Sequence, residues 1–207
     1  MHLKFTLLPE TLFLTVNLMD RFLSHNKINK NEYHLLGISA LLIACKYEEI
    51  YAPEIRDFVH ICDKVFSKQQ IIKMELNILT SLNFDILTVS PFRFLERFYI
   101  ACETDQKSFF LSQYFLELAL VDNRLNYPSS MKAISALIIS RKILKIIPDF
   151  PKILQKVSGY PYEMLRNTIK DLCCIISAAN NSQMNAVKIK FSNINFMEVA
   201  LIQTLEQ

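Results

Sequence analysis

Apolar residues in this chain recur at three- and four-residue spacing through most of its length, and the breaks in that rhythm mark the elements. Pro9 suits the first turn of a helix, and Leu12, Val16, Met19 and Leu23 follow on one predicted face. Asn29 with Glu32 reads as a capping box, and Leu35 to Cys45 beyond it is apolar on nearly all sides, as in a helix surrounded by others. Pro53 opens a short helix through His60. Ser67 with Gln70 forms a second capping box before Ile71, Met74, Ile78 and Leu82.

The rhythm fails from Asn83 to Thr88 and resumes at Ser90-Pro91 with Phe94, Leu95 and Phe98, so residues near 84 to 90 read as a linker. The expected division is 1–87 and 88–207. Further helices are predicted over Ser108–Val121, Ser129–Leu144, Pro151–Ser158 and Tyr162–Ala179, then a polar loop from Asn180 to Asn185 and a short helix or tail after Phe196.

The two halves share a segment. Gly37-Ile-Ser-Ala-Leu-Leu-Ile-Ala-Cys-Lys46 lies over Ala133-Ile-Ser-Ala-Leu-Ile-Ile-Ser-Arg-Lys142, which implies two similar helical units, with small residues at the same places letting neighbouring helices approach. Composition agrees: two glycines in 207 residues leave little material for hairpin turns, so an all-α fold is expected.

Composition and spacing then remove function classes. Neither GxGxxG nor GxxxxGK can be built from Gly37 and Gly159, the four histidines form no HExxH, and no GxSxG occurs. Neither a catalytic constellation nor a cofactor or metal site is predicted. Five cysteines without CxxC spacing, mostly in apolar runs, read as reduced core residues of an intracellular protein. A net charge of +3 spread along the chain offers no footprint for nucleic acid, and no apolar run approaches the roughly 20 residues of a membrane span. The default is a binding protein.

Two charges stand in apolar positions. Lys46 shares a face with Leu42 and Ile43, and Glu75 has Ile71, Leu79 and Leu82 at i−4, i+4 and i+7. Either they form an internal salt bridge, or they sit on an apolar surface that meets another protein. The second unit keeps Lys142 but has Met164-Leu165 where the first has Met74-Glu75, so a partner site marked by the pair belongs to the first unit.

The stretch Leu7-Leu-Pro-Glu-Thr-Leu-Phe-Leu-Thr-Val-Asn-Leu-Met-Asp-Arg-Phe-Leu23, with Ala44-Cys-Lys-Tyr-Glu-Glu-Ile-Tyr-Ala-Pro-Glu54, resembles a cyclin box. Lys73-Met-Glu-Leu-Asn-Ile-Leu79 and Leu82-Asn-Phe-Asp85 resemble its end, while Tyr127-Pro-Ser-Ser130 and Ser158-Gly-Tyr160 resemble the second box of mitotic A- and B-type cyclins. The resemblance covers nearly the whole chain. It implies tandem units of about five helices each, and a non-catalytic regulatory subunit that binds and activates a cyclin-dependent serine/threonine kinase in cell-cycle control, in nucleus and cytoplasm. Lys46 and Glu75 match the family's kinase-contacting charges, and Ile43, Tyr47, Leu79 and Phe84 its apolar contacts, with Glu49 a further member. The family's first box opens with a helix carrying a Met-Arg-Ala-Ile-Leu-like motif, and only Met1 to Leu7 stands in that region here. Tyr33 and His34 match the far wall of its groove for Arg-x-Leu substrates, so an incomplete docking groove and exposed apolar surface are expected. A cyclin-like scaffold or a transcription-type adaptor is the alternative; the adaptor predicts a concentrated basic face.

Overall fold

The computed structural model describes residues 1–122, 125–180 and 185–202, and among these there is no strand. The chain divides into two compact units, Met1–Ser90 and Pro91–Gln207.

Unit 1 holds α1 (Pro9–His25), a 3-10 turn (Lys30–Glu32), α2 (Tyr33–Glu48), α3 (Ile55–Ile61) and α4 (Lys68–Ser81). Its axis is α2, buried from Leu35 to Cys45 except at Gly37 and flanked by α1 and α4, which is why its sequence shows no polar face. The caps act as read: Glu32 accepts from the Asn29 N–H at 3.0 Å, and Ser67 and Gln70 exchange bonds of 3.3 and 2.8 Å.

The face of α1 departs from expectation. Leu14, Leu18 and Phe22 are its fully buried apolar residues, while Leu12, Val16, Met19 and Leu23 are half-buried on a neighbouring arc. The signal was disguised because Thr11 and Thr15 lie inside with them, their hydroxyls satisfied: Thr15 donates to the Thr11 carbonyl at 2.6 Å and Thr11 to Glu49 at 2.5 Å. Ahead of α1, Met1, Phe5 and Leu7 fold onto the core, with Phe5 5.3 Å from Phe58 of α3, so the apolar surface expected to be open at this end is partly covered.

Unit 2 holds α5 (Pro91–Ala101), α6 (Gln106–Leu118, continued by a 3-10 turn at Ala119–Val121), α7 (Ser129–Ile143), α8 (Lys152–Ser158), α9 (Tyr162–Asn180) and α10 (Ala186–Phe191), then 3-10 turns at Ile194–Phe196 and Val199–Leu201. Here α7 is the buried axis, against α5, α6 and α9. The order α1-α2-α3-α4 thus recurs as α6-α7-α8-α9, with a long central helix followed by a seven-residue one in each. Ser39, Ala40, Ser135 and Ala136 are fully buried, as the repeat predicted. Gly37 is different: a Cβ there would meet only the Met19 side chain at an ordinary 3.8 Å, which is why alanine serves at position 133.

Helix α10 was not foreseen, since the last helix was expected after Phe196. Of the loop predicted at Asn180–Asn185, residues 181–184 lie outside the described residues, as do residues 203–207 of the predicted tail. The cysteines are unpaired, and burial pushes the Cys45 thiol up to about 12.

Candidate partner-binding surface

The last turn of α2 and the middle of α4 bring the two singled-out charges together. Lys46 Nζ donates to both oxygens of Glu75, at 2.7 and 3.0 Å, with Lys46 55% and Glu75 13% exposed. Glu75 lies low because Ile71 and Leu82 on the same stripe are buried, whereas Lys46 reaches out from the helix end. An ion pair with one half-exposed partner contributes about 0–1 kcal/mol, too little to explain two charges placed on an apolar face by folding alone.

Around this pair the predicted residues separate by depth. Ile43 is buried and Leu79 half-buried against the unit 1 core, so they form the floor. Tyr47 is exposed, and Phe84 stands out with 62% exposure. Glu49 is half-buried at the end of α2, where its carboxylate bonds to the start of α1. Periodicity and resemblance missed four exposed apolar residues beside these, namely Ile72 and Leu76 on α4 and Ile50 and Tyr51 in the turn after α2, the last two 89% and 93% exposed. The signal available was the run Ile50-Tyr51 just before Ala52-Pro53, where a turn is required and core burial is not.

Phe84 is presented by a strained backbone. Helix α4 ends with the Asn83 N–H donating to Thr80 and the Phe84 N–H to Leu79, at 3.1 and 2.8 Å, and both residues are left-handed, with φ of 51° and 57°. Asparagine tolerates this; a bulky aromatic does so at a cost of about 1–3 kcal/mol. Arg21 of α1 holds the next residue, Asp85, at 3.2 Å. Phe84→Gly is therefore expected to raise the stability of the free chain by about 1 kcal/mol in chemical denaturation while removing the most prominent apolar group of this surface. A loss of stability would show that Phe84 serves the fold.

Tyr33 and His34 occupy the first turn of α2, about 20 Å from Lys46 at 1.5 Å per residue. Both are exposed, with the His34 ring edge-on to Phe66 at 5.5 Å. A cleft of about 580 Å³ lies near them, lined among others by Glu32, Leu35, Gln70, Lys73 and Met74, but neither residue lines it. In unit 2, Leu165, opposite Glu75 in the repeat, is fully buried. Among the described residues no cluster of His, Cys, Asp and Glu is placed to hold a metal ion, and no helix is long and apolar enough to cross a membrane.

Comparison with known proteins agrees with this architecture. The cyclin N-terminal domain model matches residues 1–87 and the cyclin C-terminal domain model residues 89–205. Cyclin-B1-4 of Arabidopsis thaliana is 40% identical over 99% of this chain and 54% of its own length. The G2/mitotic-specific cyclin-B of Dictyostelium discoideum is 36% identical over 99% of this chain and 48% of its own. The chain thus spans about half the length of the curated relatives it matches. Among solved structures, a viral cyclin from herpesvirus saimiri superposes with a TM-score of 0.75 at 17% identity, over 85% of this chain and 79% of the other. A chain of the CAK complex of Chaetomium thermophilum bound to ATP-γ-S gives 0.60 at 16% identity, over 95% of this chain and 63% of the other; at these identities both show the fold alone. With a domain model matched on each half and two helical repeats built alike, the chain belongs to the cyclin family.

Proposed function

We propose that this chain is a non-catalytic regulatory subunit that binds and activates a cyclin-dependent serine/threonine kinase, acting in cell-cycle control at G2 and mitosis, in nucleus and cytoplasm. The observation that carries the reading is the Lys46–Glu75 pair, its lysine half-exposed, set among exposed apolar side chains. A partner helix laid across Tyr47, Leu79 and Phe84 gains by apolar burial, and the charge pair fixes its register by meeting backbone or side-chain groups at the centre of the contact. Activation then follows from population shift. The surface would bind the kinase with its regulatory helix held inward, so that the kinase's own lysine and glutamate pair and its activation loop orders; phosphoryl transfer stays with the partner. The relatives from Dictyostelium discoideum and Marthasterias glacialis carry G2/mitotic-specific names, which supports the phase assigned here.

The test is titration of purified cyclin-dependent kinases with this chain and with its Tyr47→Ala and Phe84→Ala forms. Activation by the parent, with the half-maximal concentration raised about tenfold in each variant by loss of one buried aromatic contact, is the expected result. A folded parent that neither binds nor activates any of several such kinases would favour a cyclin-fold scaffold.

A further inference from the structure

Glu49 stands at the junction of the two helices that frame the candidate surface. Its N–H closes α2 on the Cys45 carbonyl at 3.0 Å, and its backbone then turns extended, with φ of −90° and ψ of 138°. The start of α1 lies beside this end of α2, as suits helices joined by a short connection. One carboxylate oxygen of Glu49 accepts from the Leu8 N–H at 2.8 Å and from the Thr11 hydroxyl at 2.5 Å. Leu8 is the N-cap residue of α1 and supplies no side-chain cap of its own; the carboxylate of Glu49, 38 to 41 residues away, instead takes the Leu8 N–H and the Thr11 hydroxyl at the positive end of the helix. The next two residues are Ile50 and Tyr51, whose side chains stand almost wholly in solvent.

An apolar pair so exposed on a turn keeps one orientation only if the turn is tied at its base, and the base here is Glu49. We infer that Glu49 is a positioning residue. Its carboxylate latches the end of α2 to the start of α1 and so sets where Ile50 and Tyr51 stand on the partner surface, without touching the partner. The inference rests on the kinase-binding reading above and gives α1, which contributes none of the predicted contacts, a part in building the surface. It also accounts for the buried hydroxyl of Thr11, the second arm of the latch.

Three variants of the full chain separate the possibilities. Glu49→Ala removes both bonds, Thr11→Val removes one, and Glu49→Gln keeps an acceptor for both while losing the charge. Hydrogen exchange of the amides of residues 50–52 in the free chain reads the turn directly, and kinase titration reads the surface. In Glu49→Ala we expect local exchange and the half-maximal kinase-activating concentration each to rise about tenfold, as for a lost hydrogen bond to a charged group, with the activity plateau unchanged. Thr11→Val, which keeps one bond, and Glu49→Gln, which keeps both as weaker neutral bonds, should each fall between Glu49→Ala and the parent. Unchanged exchange in Glu49→Ala overturns the latch. Raised exchange with unchanged activation overturns its link to the surface, and a Glu49→Gln form as weak as Glu49→Ala with parent-like exchange shows that the partner reads the charge itself. If the parent activates no kinase, the functional reading falls, and exchange alone decides the latch.

Discussion

Lys190→Met is expected to destabilise unit 2 by about 3–5 kcal/mol, the cost of leaving a buried charge without its counterion. Lys190 and Glu117 are 7% and 1% exposed; the ammonium donates to both carboxylate oxygens at 2.6 and 2.8 Å, and Gln113 adds a bond of 3.1 Å. The ammonium also lies 5.1 and 5.6 Å from the ring centres of Phe191 and Phe196, a setting that favours a cation over a neutral replacement. This cluster ties α10 to α6 across 73 residues of chain.

The pH dependence has a definite sign. Burial pushes the Glu117 carboxyl above the ordinary range, against the lowering effect of Lys190 and of the hydrogen bonds from Lys190 and Gln113. A carboxyl whose folded-state pKa is raised binds more protons folded than unfolded, so its contribution to stability is fully present below the unfolded pKa and is lost as pH rises through the folded one. Removing Lys190 takes away the lowering cause and extends that window upward. The deficit of Lys190→Met should thus be larger at pH 7.5 than at pH 5 in urea unfolding followed by circular dichroism. Adding Glu117→Met should recover most of the loss, since an apolar pair of similar volume is often as stable as a buried ion pair. A loss under 1 kcal/mol, or one independent of pH, would show that the pair does not hold α10.

The second large effect concerns Lys46 and Glu75, whose two readings a charge exchange tells apart. Lys46→Glu and Glu75→Lys each place like charges where the bidentate pair now sits, and each is expected to weaken kinase binding by about a hundredfold or more, in the range of breaking a charge pair at the centre of an interface. Stability should change by no more than about 1 kcal/mol in Lys46→Glu, because that side chain is half in solvent. The double exchange re-forms the internal pair with its polarity reversed. If the partner reads the ammonium of Lys46, the double form stays inactive although folded; full recovery would mean that the pair only braces α2 against α4.

What was legible in advance follows the range of the interactions involved. Helix boundaries were readable within one or two residues for α3, α4, α7, α8 and α9, because local signals such as the Ser67–Gln70 capping box and Gly159, with φ of 75°, act within one turn. The repeat was readable because α2 and α7 must be apolar on all sides to serve as axes. The meeting of Lys46 with Glu75 was among the two possibilities the spacing allowed, since each interrupted an apolar face.

The tertiary structure decided whatever depends on a partner far away in the chain. The buried arc of α1 turns on Thr11 and Thr15, which local pattern counts as polar and which only Glu49 and the Thr11 carbonyl make tolerable inside. Glu49 itself, matched by resemblance to a partner contact, faces α1 because antiparallel packing sets a helix start beside it. Helix α10 escaped notice because Lys190 reads as a surface charge until Glu117 is brought to it. By itself the sequence determined an all-helical pair of repeats and the turn of helix each charge stands on, since periodicity and caps are local. Which of its polar groups lie inside, and therefore which apolar ones remain outside, was decided only by packing, because a buried polar group is stable only where its hydrogen-bonding partner arrives.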